Sequence, residues 1–102
     1  MAVTFSDDGI NWEEPRITLH NNLESGWEDD INRNCVLKID GKYKMWYSAG
    51  ETYEPNVNAY ATSDDGINWS EPVVVLRNDE TSGWEDDINR TCTIFWNGQY
   101  HM

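Results

Sequence analysis

Apolar side chains fall on alternate positions at Cys35, Leu37 and Ile39, and the same spacing returns at Cys92, Ile94 and Trp96. A period of two places alternate side chains on one face, so each run predicts a strand buried on one side. Asp40-Gly41 and Asn97-Gly98 follow at once. Both turn residues tolerate positive φ, which a two-residue hairpin requires. The pattern then predicts a second strand over 43–48, a loop over 51–56, a third strand over 58–63 and a fourth containing 73–76. In the fourth strand Val74 and Leu76 are matched upstream by Ile17 and Leu19, while Val73 and Val75 are replaced by Arg16 and Thr18. Apolar character is kept on one face only, as in a half-solvated outer strand. No stretch shows helical periodicity.

These matches belong to a repeat. SDDGINW occurs at 6–12 and again at 63–69, and GWEDDINR at 26–33 and again at 83–90, all in one register with an offset of 57. Four antiparallel strands per period make a blade of the propeller type, so the expected fold is all-β, with two four-stranded blade repeats per chain. Met102 takes the repeat position of Met45, and Met1 that of Asn58. Residues 1–19 are then a half blade, 34–76 a complete blade and 91–102 the complementary half blade. Two periods would need 114 residues, 12 more than the chain has, and the shortfall matches 46–57. The C-terminal pair of one chain can complete the N-terminal pair of the next, which removes two exposed sheet edges. A head-to-tail contact closes only when its rotation closes, and each chain supplies two blades. Within the usual range of about four to eight blades, six blades as a homotrimer is the expected assembly.

Nineteen acidic side chains face seven basic ones, for a formal net charge of -12. Nucleic acid and anionic membranes are repelled by such a surface and are not expected partners. Six Trp, five Tyr and two Phe are too many aromatics for a disordered acidic tail. No segment approaches the roughly 20 apolar residues of a membrane helix, and no basic stretch followed by an apolar run opens the chain. The chain reads as soluble, with no export signal and no compartment assigned. Cys35 and Cys92 are equivalent by repeat, so they are expected on inner strands of neighbouring blades, apart from each other, as two buried free thiols.

The run Trp27-Glu28-Asp29-Asp30-Ile31-Asn32-Arg33, with CVLKIDGKYKMWYSAG and YATSDDGINW after it, resembles repeats of the five-bladed propeller glycosidases, the arabinanase, invertase and levansucrase superfamily. The resemblance covers essentially the whole chain and implies a propeller with carbohydrate as its ligand class. Family repeats often carry Pro after the Asn-Arg pair, where this chain has Asn34 and Thr91. Five blades also cannot be assembled from two-blade chains without a remainder. SDDGINW looks like the Asp-box of sialidase-type propellers: Asp64-x-Gly66-x-Asn68-Trp69 has its spacing, with Thr62 at the usual hydroxyl position and Phe5 there in the first copy. That likeness implies structural roles. Asp7 and Asp64 would accept backbone amides, Gly9 and Gly66 would supply positive φ, and Trp12 and Trp69 would pack between blades.

Candidate chemistry is confined to the loops before the innermost strands. Glu28, Asp29 and Asp30, with Glu85, Asp86 and Asp87, are the acidic clusters, flanked by Trp27, Arg33, Trp84 and Arg90. Trp27 and Trp84 can stack on a sugar ring, and the ligand-binding set is Trp27, Glu28, Asp29, Arg33, Trp84, Glu85, Asp86 and Arg90. A glycosidase needs one neutral and one ionised carboxyl about 5 to 10 Å apart. Asp29, Asp30, Asp86 and Asp87 are the weak catalytic candidates, since identical triplets lack the differing environments that separate two carboxyl pKa values. The same four could hold calcium or another cation, although no dedicated calcium loop is present, and no cofactor is required. His20 and His101 occupy non-repeated positions. The favoured reading is a self-assembling binding or scaffold module with a glycan ligand. A glycoside hydrolase is the alternative, and a designed or recently duplicated chain without an evolved ligand is the third.

Overall fold

The computed structural model describes residues 1–51 and 54–102. Eight strands follow one another: β1 (Ala2–Val3), β2 (Arg16–Ile17), β3 (Asp30–Ile39), β4 (Lys42–Glu51), β5 (Glu54–Ser63), β6 (Val73–Arg77), β7 (Ile94–Trp96) and β8 (Gln99–His101). The protein is all-β, with no helix among the described residues. A central four-stranded sheet, in the order β3-β4-β5-β6, is accompanied by two-stranded sheets β1-β2 and β7-β8. Every pairing is antiparallel, and none of the sheets closes on itself.

The hairpins form where the turn chemistry places them. Asp40 and Gly41 have φ of 52° and 77°, and Asn97 and Gly98 have the same pair of values. Positive φ at both central residues matches the right-handed twist of the flanking strands. The first strand of the central sheet is longer than its alternation suggests: β3 starts at Asp30, and its register shifts between Asn32 and Cys35. Arg33, at φ 52°, sits within that bulge, so one extra residue breaks the period of two without ending the strand. The expected loop over 51–56 is also shorter, because β4 runs to Glu51 and pairs there with Glu54 of β5. Thr52 and Tyr53 lie outside the described residues.

Alternation along β4 and β5 gives the central sheet two different faces. Met45, Tyr47 and Ala49 pair with Ala61, Ala59 and Val57 and form the fully buried core. Three small partners leave room for the large Met and Tyr side chains, so the layer fills without strain. Met1, Leu19, Trp27, Ile31, Trp69 and Val74 pack over it. On the opposite face Trp46 stacks on Tyr60 at 5.0 Å and on Tyr100 at 5.6 Å between ring centroids. Asn58, on that same face, donates from its amide to the Thr91 hydroxyl. The central sheet is thus covered by the N-terminal residues on one side and by the C-terminal sheet on the other.

The small sheets copy the halves of the large one. Ala2 pairs with Ile17 and Val3 with Arg16, as Ala59 pairs with Val74 and Tyr60 with Val73. Ile94, Phe95 and Trp96 pair with His101, Tyr100 and Gln99, as Leu37, Lys38 and Ile39 pair with Lys44, Tyr43 and Lys42. Each repeat position therefore keeps its partner.

Both SDDGINW turns are built alike, with one correction to the expected acceptor. Asp8 Oδ1 accepts the Ile10 and Asn11 amides at 2.8 Å, and Ser6 Oγ accepts the Gly9 amide at 2.8 Å. Asp65 and Ser63 make the same bonds to Ile67, Asn68 and Gly66. The acceptors are thus Asp8 and Asp65, not Asp7 and Asp64. With two adjacent aspartates, the one immediately before the positive-φ glycine reaches the amides ahead of it. Asp64 instead extends into solvent, 3.4 Å from Lys42 Nζ. Gly9 and Gly66 take φ of 74° and 78°, as expected. Trp69 packs on the core, whereas its repeat mate Trp12 is 59% exposed. No helix among the described residues is long and apolar enough to cross a membrane.

Candidate functional site

The two acidic loops share one local construction. Ser25 Oγ accepts the amides of Trp27 and Glu28 while donating to the Asn22 carbonyl, and Ser82 does the same for Trp84, Glu85 and Asp79. The Asn22 and Asp79 amides donate at 3.0 Å to the carbonyls of Glu28 and Glu85. Asn21 and Asn78 side-chain amides hold the Asp29 and Asp86 carbonyls at 3.0 Å. Gly26 and Gly83, at φ 75° and 79°, allow the tight reversal between serine and tryptophan. Local sequence alone thus dictates the loop shape.

Surroundings then divide the copies. In the first loop Trp27 packs on the core and Glu28 is 5% exposed, its carboxylate accepting the Tyr47 hydroxyl at 2.9 Å. Burial and that bond push the Tyr47 phenol well above its ordinary range. Asp30 accepts the Asn32 amide at 3.3 Å, and Asp29 Oδ1 is buried without a protein partner. In the second loop Trp84 is 77% exposed, Glu85 half-buried, and Asp86, Asp87 and Arg90 open to solvent. The expectation that identical triplets share one environment is corrected: only Glu28 has a tyrosine from β4 within reach.

This arrangement does not converge the acids. Among the described residues no group of three or more His, Cys, Asp and Glu side chains could hold a metal ion, so Asp29, Asp30, Asp86 and Asp87 are not gathered into one cation site. Among the described residues neither Arg33 nor Arg90 pairs with a carboxylate; the ion pairs there are Arg16 with Glu13 and Lys42 with Asp64. His20 and His101 are exposed, and His101 stacks beside Trp96 at 6.1 Å.

Three features went unread in the sequence. A cleft of about 450 Å³ opens at the hairpin end, lined by Asp40, Lys42, Lys44, Asp64, Phe95 and Tyr100 among others. Lys44 Nζ sits 5.3 Å from the Tyr100 ring centroid. Paired charges alternating with aromatics across the repeat were its only signal. A polar strip crosses the central sheet at Asn32, Ser48 and Asn58, Ser48 pairing with Asn32 on one side and Asn58 on the other, and each has a buried side-chain oxygen without a protein partner. Finally, the cysteines are not apart. Cys35 Sγ and Cys92 Sγ lie 3.5 Å from each other, Cys92 is exposed and Cys35 half-buried. Stacked sheets bring equivalent inner positions together, which equivalence along the chain does not reveal. The Cys35 sulfur, by its hydrogen bond and its charge, raises the Cys92 thiol pKa.

No protein-family model and no solved structure matches this chain. An uncharacterized protein of Mycobacterium tuberculosis is 31% identical over 104 residues, an alignment covering 95% of this chain and 32% of that protein. The chain therefore spans about a third of the length of the curated relative it matches.

Proposed function

We propose that this chain is a two-unit β-propeller segment that assembles with copies of itself, six blades as a homotrimer, and serves as a binding or scaffold module for carbohydrate. The observation that carries the reading is the register shared by each small sheet and one half of the central sheet. β5 receives β4 along one edge, and the same edge of β1 is open. β4 receives β5 along one edge, and the same edge of β8 is open. The two open edges are the two sides of one central pairing, so they suit each other. In the register of Tyr43, Lys44 and Met45 against Ser63, Thr62 and Ala61, residues Tyr100, His101 and Met102 would meet Ser6, Phe5 and Thr4 of the next copy. Trp12, Ile17, Ile94, Trp96 and Met102 are all more than half exposed and supply apolar area to bury there. About two thirds of the mycobacterial relative lies outside the matched stretch.

Carbohydrate fits the second loop best. Trp84 offers an open ring face for stacking, and Glu85, Asp86, Asp87 and Arg90 offer acceptors and a donor for hydroxyl groups. The net charge of -12 disfavours anionic ligands. A glycan array run with the original protein and Trp84→Ala, beside a panel of chromogenic glycosides, tests this. Retention of neutral glycans that Trp84→Ala abolishes, without hydrolysis, is expected. Hydrolysis of any glycoside would make the site a hydrolase, and no retained glycan would leave assembly alone as the function.

A further inference from the structure

We infer that Cys35 and Cys92 are a redox modification site, closing to a reversible disulfide on exposure to a low-molecular-weight disulfide of the glutathione class and clamping the C-terminal sheet onto the central one. Both thiols lie within a single chain, whatever its assembly. The sulfurs lie 3.5 Å apart, a van der Waals contact, so bonding needs an approach of roughly 1.5 Å. The Cys35 sulfur is held in place: it accepts the Thr93 amide at 3.2 Å and can donate to the Thr93 carbonyl at 3.4 Å. Thr93 is itself buried, so this anchor does not drift with the surface.

Exposure assigns the order of steps. The open Cys92 meets the reagent first; its thiol, whose pKa is raised beside Cys35, loses its proton to solvent as pH rises, and the thiolate attacks one sulfur of the small disulfide, giving a mixed disulfide and releasing one small thiolate. The half-buried Cys35 thiolate then attacks Cys92 Sγ, forming the protein disulfide and releasing the second small thiolate. Two protein thiols together give up two electrons and two protons, and the reagent becomes two thiols. The new bond spans a sequence separation of 57 and ties β3 to the segment leading into β7, adding a covalent link to the Cys35–Thr93 hydrogen bonds and to the Trp46–Tyr100 and Asn58–Thr91 contacts between the central sheet and the C-terminal residues.

The folded chain is incubated with oxidised glutathione, quenched in acid, and followed by thiol titration, intact mass and non-reducing electrophoresis. Both thiols should disappear, the mass should fall by two hydrogens with no retained glutathione, and the chain should stay single. Closure should run at least about tenfold faster folded than in urea, because folding raises the local thiol concentration. Cys35→Ser should stop at a lasting mixed disulfide on Cys92. Phenylarsine oxide, which bridges close thiols without an oxidant, should bind once per chain and be lost in Cys35→Ser and in Cys92→Ser. A glutathione adduct that persists on the unsubstituted protein, disulfide-linked chain dimers, or equal rates with and without urea would overturn the inference. These readouts on the unsubstituted chain decide it even if a serine variant does not fold.

Discussion

Replacing Glu28 and Glu85 separately with Ala is a matched comparison, because the two residues sit in copies of one sequence and one loop. Glu28→Ala leaves the Tyr47 hydroxyl, on a fully buried ring, without its acceptor at 2.9 Å. An orphaned buried donor costs about 1–3 kcal/mol, and losing the one buried methylene that Glu28 has beyond Ala adds about 1 kcal/mol. The total is about 3 kcal/mol, which lowers the melting temperature of a domain this size by about 10–20 °C. Glu85 is half-buried and makes no side-chain bond among the described residues, so Glu85→Ala should stay within about 0.5 kcal/mol. Thermal unfolding followed by near-ultraviolet circular dichroism, at one protomer concentration because assembly would couple to stability, gives both numbers. Equal losses for the two variants would refute the claim that the loops differ through Tyr47.

Backbone amides hold the Asp8 and Asp65 carboxyls well below the usual aspartate range. A lowered folded pKa gives stability present above the unfolded value of about 3.9 and lost as pH falls through the folded one. Asp65→Asn should therefore flatten the acid side of the melting curve. The Tyr47 phenol behaves in the opposite sense: its raised folded pKa gives stability present below an unfolded value of about 10 and lost as pH rises through the folded one. Urea midpoints should fall above about pH 10 in the original protein and less so in Tyr47→Phe. Gly66→Ala should cost about 1–2 kcal/mol through its φ of 78°, although the nearest Tyr43 ring atom stands at a comfortable 3.6 Å.

Strands and hairpins were legible because period-two alternation and Asp-Gly or Asn-Gly turns act locally, and the repeat let each be read twice. The start of β3 was not, since a bulge at Arg33 interrupts the alternation while the hydrogen bonding goes on. The turn acceptor was misplaced by one residue because Asp7-Asp8 and Asp64-Asp65 each offer two carboxylates to a spacing argument, and only the glycine's conformation chooses between them. The candidate site was half legible. Loop shape follows from Ser25, Gly26 and their copies, but burial of Glu28 and exposure of Trp84 depend on which neighbouring sheet each loop meets. The thiol contact belongs to the same class: stacking distance between units leaves no mark on the letters of either unit.

Native mass spectrometry of the folded chain, repeated over a range of protomer concentrations, tests the assembly most directly. The account predicts a homotrimer as the dominant species, formed by Tyr100, His101 and Met102 of each copy pairing with Ser6, Phe5 and Thr4 of the next. A folded monomer persisting at every concentration, with both open edges unpaired, would contradict it.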